Sequence, residues 1–284
     1  MPQDPKKLRE DRRNMAITLL ACGIDPKKVI LFEQSKVSEH AELTWMLNCL
    51  TPVGWLARMT QWKSKLGVTK GAQSLEDVSA TQGLHLGLFA YPVLMAADIL
   101  STKDQIQHLE LARDIATTFN KTVRKPYFPL PRPIITETKR VMSLRDPTNK
   151  MSKSDASDQT RINLIDPPEL ISQKIKRAVT DAHRGISYSR TDRPALANLI
   201  EIYAGMKKVS IDEVVKIHAD DSNAAFKEAL ASVIIEAVRP IQEEMKRLEG
   251  EVGYVEGVLE EGARKAKEIA RPNLEMAQKL MGLR

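Results

Sequence analysis

Apolar and polar positions alternate along most of the chain with a helical period, and capping residues mark where several of the helices begin and end. Asp4-Pro5 has the form of an N-cap followed by a first-turn proline, and Gly23 supplies a stop. Residues 5–22 therefore read as a helix with Leu8, Met15, Ile17, Leu19 and Leu20 as its apolar positions. Val29-Ile30-Leu31-Phe32 is a short unbroken apolar run between polar residues, the pattern of a buried parallel strand. Ser38 then caps a helix carrying Ala41, Trp45 and Leu47, and Pro52 starts another through Met59 and Trp62. This helix–strand–helix rhythm predicts an α/β first half. Residues 65–82 lack periodicity and are rich in Gly, Ser and Thr, so they read as a loop.

The pattern resumes with a buried helix over 88–100 and an amphipathic one over 104–120. A proline-rich connection (Pro126, Pro129, Pro131, Pro133) leads to 140–144, a short strand or strand end. Beyond Ser154 the texture changes. Segments 168–180, 195–203, 211–218, 223–248 and 255–280 all carry helical spacing, and none reads as a strand. The expectation is an incomplete Rossmann-like parallel sheet over 1–160 followed by an all-α domain over 161–284.

Composition changes this picture little, and charge sharpens it. The chain has 284 residues, 42% hydrophobic and 28% charged, which excludes a disordered chain or a disulfide scaffold. No apolar run reaches the roughly 18 residues of a spanning helix, and the longest carries Asp98. Cys22 and Cys49 form no metal-spaced pair and read as small core residues of a reducing compartment. The start carries neither a signal peptide nor the marks of a transit peptide. Net charge is +6, yet residues 121–154 alone hold nine Lys and Arg against Glu137 and Asp146, a local +7. That concentration points to an anionic partner, phosphate or nucleic acid.

The candidate chemistry sits at the end of that basic segment. Lys150-Met151-Ser152-Lys153-Ser154 places two ammonium groups and several backbone donors just past the turn Asp146-Pro147-Thr148-Asn149. Such a loop suits the negative charge that develops on a leaving polyphosphate. Most Lys/Ser loops are merely solvated, but this string is also the signature loop of class I aminoacyl-tRNA synthetases. A second stretch, Tyr91-Pro92-Val93-Leu94-Met95-Ala96-Ala97-Asp98-Ile99-Leu100, buries an aspartate in an apolar helix, which is costly unless a donor meets it. Asp98 fits either a local capping role or a substrate donor. The stretch resembles the amino-acid-binding helix of the tryptophanyl-tRNA synthetases, with the pattern Tyr-Pro-x-Leu-Met-Ala-Ala-Asp-Ile-Leu. Indole offers one N–H donor and no acceptor, so a fixed carboxylate suits it, and Met95 would give polarizable contact to the ring.

Further segments carry the same resemblance: 103–114, Arg140-Val141-Met142-Ser143-Leu144, Ala178-Val179-Thr180-Asp181 and Leu280-Met281-Gly282-Leu283. It extends from Gln3 to the C-terminus and favours the bacterial and mitochondrial type, which ends in such a helical domain; Met95-Ala96-Ala97-Asp98-Ile99-Leu100 argues against the related tyrosyl-tRNA synthetases. The resemblance implies a ligase that activates tryptophan with ATP, accompanied by Mg2+, and transfers it to tRNA(Trp), with no tightly bound cofactor. It implies catalytic roles for Lys150 and Lys153, and tryptophan contacts from Asp98, Met95, Tyr91 and Gln105. It places ATP against Val141, Lys150, Met151, Ser152, Lys153, Ser154, Lys103 and Asp104. For Asp104 and Gln105 an ordinary helix start is an equal reading. No protein-bound metal is expected. The family implies a homodimer involving the Trp45–Trp62 region, an anticodon-binding helical domain, and no membrane. The compartment would be the mitochondrial matrix in a eukaryote or the cytoplasm in a bacterium.

Two departures bear on activity. The family's Gly-x-x-Pro-Ser-Gly turn and His-(Ile/Leu)-Gly-Asn stretch, which set backbone donors at the ATP phosphates, are not found in this sequence. Met1-Pro2-Gln3-Asp4-Pro5 resembles a segment one strand and one helix later. Gly83-Leu84-His85-Leu86-Gly87 imitates the missing motif, but it directly precedes Tyr91-Pro92, and His85 reads as an incidental helix-entry residue. Between Leu100 and Asp104 only three residues stand where relatives place a strand and a turn, and Lys103 takes an acid's place. Three residues span roughly 10 Å, too short for a core strand. The chain as given is therefore expected to exchange little or no pyrophosphate. A truncated remnant that binds tRNA or dimerises without ATP chemistry is the alternative, and a plain basic RNA-binding module is a third reading.

Overall fold

The computed structural model describes residues 4–59, 62–63, 84–101, 106–132, 140–153 and 155–284. The loop expected over 65–82 and most of the shortened 101–104 connection lie outside them. Two compact units emerge, one formed by 1–16, 24–136 and 253–284, the other by 17–23 and 137–252.

The first unit holds α2 (Ser38–Asn48), α3 (Val53–Ala57), α4 (Leu86–Ser101), α5 (Ile106–Thr122) and α10 (Val252–Leu280), together with most of α1 (Pro5–Ala21). Asp4 caps α1 as its sequence implies, its Oδ1 accepting the Lys7 N–H at 2.8 Å, and Gly23 turns the chain at φ +96°. Ser38 is the first residue of α2 instead of its cap; that position belongs to Val37. The core gathers Leu43, Met46 and Leu47 from α2, Val93, Ala96 and Ala97 from α4, Ile115 and Phe119 from α5, and Leu274 and Ala277 from α10. Full burial of Phe119, Leu47 or Ile115 contributes about 2–3 kcal/mol each.

Val29–Phe32 is not a strand. Val29 and Ile30 are 46% and 38% exposed, and the segment is irregular. Its backbone instead runs against α10, where the Leu31 carbonyl comes so close that a Cβ on Gly262 would lie 1.9 Å from it. Ala263, Ala266 and Ala270 keep that helix face low enough to receive Val37. A helix thus takes the place of the partner strand that the apolar run alone would suggest. Among the described residues no ladder forms, and the one bridge joins Met142 to Lys150. Cys22 and Cys49, expected in the core, are exposed; each sits just past a helix end, where the chain turns outward.

The second unit holds α6 (Pro168–Lys176), α7 (Pro194–Lys207), α8 (Ile211–His218) and α9 (Asn223–Glu249). Ser210 and Ser222 cap α8 and α9, their hydroxyls accepting from Glu213 N and Ala225 N at 3.1 Å. Ile171, Ile175, Leu196, Leu199, Ile200, Phe226 and Leu230 close the core at 1% exposure or less. The units do not divide at 160. Leu144 belongs to the second core, its N–H donating to Thr160 O and its carbonyl accepting from Val179 N, so the signature segment is built into the helical unit. The last helix, for its part, returns to the first, where Tyr127 Oη donates to Asn273 O at 3.0 Å.

Candidate functional site

Helix α4 presents two faces. Val93, Ala96 and Ala97 are fully buried, while Tyr91, Met95 and Asp98, spaced four and three residues apart, share a half-buried face. Burial raises the Tyr91 phenol above its ordinary value. Asp98 is fixed by two residues of the preceding segment that sequence reasoning passed over. Gln34 Nε2 donates to Oδ2 at 2.6 Å, and His40 Nδ1 meets Oδ1 at 2.6 Å. His40 is 5% exposed and its ring lies 5.8 Å from that of Phe32, so the imidazole is held in turn. A carboxylate offers about four acceptor sites. Asp98 keeps 30% of its side chain exposed on that half-buried face. The only sequence clue to this arrangement was a histidine within an apolar-periodic helix, 58 residues before its partner.

The signature loop rises from a tight hairpin in the second unit. Ser143 N donates to Asn149 O at 2.8 Å and Met151 N to Val141 O at 3.1 Å. The Asp146 carboxylate closes the turn, accepting from Thr148 Oγ1, Thr148 N and Asn149 Nδ2 at 2.6–2.9 Å. Those bonds, the Thr148 hydroxyl foremost, hold its carboxyl below the usual carboxylate range. Downstream, Arg161 pairs with Asp158 at 2.9 Å and donates to Asp155 O. Lys150 and Lys153 are exposed and enter no ion pair among the described residues; Met151 and Ser152 are half-buried, and Val141 is 41% exposed. Two cations thus stand on a rigid base, free to meet an anion. Lys103, Asp104, Gln105 and Ser154, also expected in the site, lie outside the described residues. His85 is exposed just ahead of α4.

Asn198, buried in α7, anchors the hairpin. Its Oδ1 accepts from Met142 N at 2.9 Å and its Nδ2 donates to Met142 O at 3.0 Å. A lone asparagine in an apolar helix gives no sign of this bond across 56 residues. Asn198→Leu removes both bonds, each worth about 1 kcal/mol. Trypsin cleavage after Lys150 and Lys153 is expected to quicken about tenfold, with helical circular dichroism unchanged. Unaltered cleavage would refute the anchoring role.

A family model for class I tRNA synthetases of the tryptophan and tyrosine type matches residues 1–239. The chain belongs to this family. Within it, a tryptophan–tRNA ligase of Gloeobacter violaceus is 44% identical over 295 residues, covering 100% of this chain and 83% of its own. Among solved structures, the tryptophanyl-tRNA synthetase of Mycoplasma pneumoniae superposes with a TM-score of 0.84 at 30% identity, covering 99% of this chain and 84% of that one. The Campylobacter jejuni enzyme, solved with ADP and tryptophan, reaches 0.77 at 28% identity, with coverage of 99% and 85%. Bacterial and mitochondrial enzymes both occur among the relatives. The architecture is accordingly that of a class I synthetase.

Proposed function

We propose that the chain is a tryptophan–tRNA ligase, and the fixed carboxylate of Asp98 on the half-buried face of α4 is the observation that carries this reading. Tryptophan carboxylate attacks the α-phosphate of ATP, forming tryptophanyl-adenylate and releasing pyrophosphate; the terminal ribose hydroxyl of tRNA then takes the acyl group and releases AMP. Asp98 accepts the indole N–H, Met95 and Tyr91 line the ring, and Gln105 orients the amino-acid end. Lys150 and Lys153 offset charge moving onto the pyrophosphate. The backbone at Val141 touches adenine, and Met151, Ser152, Ser154, Lys103 and Asp104 complete the nucleotide side. Mg2+ arrives on the ATP phosphates, and a Rossmann-like sheet belongs to this reading.

The helices of 161–284 would take the anticodon end of tRNA. A homodimer is supported by Trp45 and Val53, which are 71% and 60% exposed in the stretch around α2 and α3. Agreement over the whole chain with ligases supports this reading over that of a remnant without ATP chemistry.

Pyrophosphate exchange into ATP is the test. The missing turn alone implies little or no exchange, but the match to ligases along the whole chain leads us to expect exchange that depends on tryptophan, and on neither tyrosine nor phenylalanine. Lys150→Ala and Lys153→Ala should each lower it at least about tenfold with tryptophan affinity unchanged. Exchange with tyrosine would refute the assignment. Tryptophan binding without exchange would establish the remnant instead.

A further inference from the structure

The basic segment of the sequence is two features, and only its far end is the signature loop. Its beginning lies in the first unit, around the end of α5. From Ile115 to Thr136 the sequence contains no acid and four cations: Lys121, Arg124, Lys125 and Arg132. All four are exposed, and none enters an ion pair among the described residues. One cation at a helix C-terminus offsets the helix dipole. That effect fades within the last turn and leaves the other charges without a structural purpose.

The surface is also rigid. Lys125 N donates to Asn120 O at 3.0 Å and Arg124 N to Lys121 O at 3.2 Å, the paired bonds that close a helix through a left-handed residue. Arg124 occupies that left-handed position, at φ +53°. Glycine adopts such a conformation without strain, whereas a side chain there costs about 1 kcal/mol. The loop beyond is bound back onto α5: Asn120 Oδ1 accepts from Tyr127 N and Phe128 N, and its Nδ2 donates to Phe128 O at 2.8 Å. Phe119 and Phe128 stack edge-on at 4.7 Å beneath it. Lys121, Arg124, Lys125, Pro126, Pro129 and Leu130 border one shallow, open depression.

We infer that this platform binds the phosphate backbone of RNA. An open surface with several fixed cations fits a chain of phosphates, whereas a single phosphate would call for an enclosing site. Leu130, 46% exposed, and the two prolines add apolar contact for ribose or bases. The strained arginine supports this reading, because its side chain serves no described intramolecular bond while its backbone position favours glycine. The inference rests on the ligase reading for the identity of the RNA, which is then tRNA.

The triple variant Lys121→Gln, Arg124→Gly, Lys125→Gln tests it. Glycine suits the turn, so thermal stability should not fall. Binding of tRNA, measured by filter retention at about 0.1 M salt, should weaken roughly 10–30-fold, and the slope of log K against log salt should shrink by about 3. A charge-retaining variant, Lys121→Arg with Lys125→Arg, should bind as the parent does. Equal affinity and slope in parent and triple variant would overturn the proposal, as would a parent that binds no tRNA. Tryptophan binding, measured separately by calorimetry, reports on the ligase reading alone and should be identical in all three proteins.

Discussion

Asp98→Ala is expected to weaken tryptophan binding by up to about 100-fold, as loss of a hydrogen bond to a charged acceptor costs up to about 3 kcal/mol. Calorimetry with two ligands separates this role from a general disturbance of α4. Tryptophan carries the indole N–H, and its benzothiophene analogue replaces that group with sulfur at nearly constant shape. The parent should prefer tryptophan by about two orders of magnitude, because the analogue leaves a fixed carboxylate without its donor. In Asp98→Ala the preference should collapse toward unity. Gln34→Leu and His40→Leu act one step removed. Each removes one of the bonds that hold the carboxylate, so tryptophan affinity should fall less than in the alanine variant while the preference over the analogue persists. Unchanged tryptophan affinity in Asp98→Ala would end the assignment.

That prediction joins a residue plain in the sequence to two that were not. Asp98 stood out because a charged side chain interrupts an apolar helix, and Lys150 and Lys153 because five adjacent residues carry the pattern. Helices were similarly legible: proline entries and serine caps mark α7, α8 and α9, and 211–218 was placed to the residue. Contacts that join distant segments leave no local trace. Gln34 lies 64 residues from Asp98 and Asn198 lies 56 from Met142, and each looks ordinary among its neighbours. The Val29–Phe32 run shows the opposite failure. A short apolar segment has no period of its own, and here it is the smallness of Gly262 on α10, more than 200 residues away, that lets the backbone pack on a helix. The change of texture near 160 and the start of the second compact unit at 137 are different things. Texture changes where helices begin, but Leu144 and Met142 are held by Thr160, Val179 and Asn198, so the compact unit starts earlier.

Lys174→Met is expected to destabilise the second unit by about 3–5 kcal/mol at neutral pH, because it removes one partner from a buried ionic cluster. Lys174 is fully buried in α6, with its ammonium 2.6 Å from Asp166 and 2.5 Å from Asp158. Asp166, 5% exposed, also accepts from Asn163 N and Nδ2, so it cannot turn to water when the lysine is lost. Burial alone would pull the lysine's pKa down, but the hydrogen bonds and charges of Asp158 and Asp166 outweigh it and leave the value raised. Asp158 is lowered, chiefly by its bond to Lys174. The signs fix the pH window. A depressed carboxyl stabilises above its unfolded value, near 3.9, and that contribution is lost as pH falls through the folded one; a raised lysine stabilises below about 10.4 and loses its contribution as pH rises through the folded value. The gap between parent and variant should therefore be flat from about pH 5 to 10 and narrow on either side. Amide exchange over Ile171–Ile175 reads it directly, since all three tryptophans (Trp45, Trp55 and Trp62) lie in the other unit. Lys174→Met with Asp166→Leu should recover part of the loss, because it leaves no buried charge at 166. If the single variant were no less protected than the parent, the cluster would be ornamental to the unit that carries the signature loop.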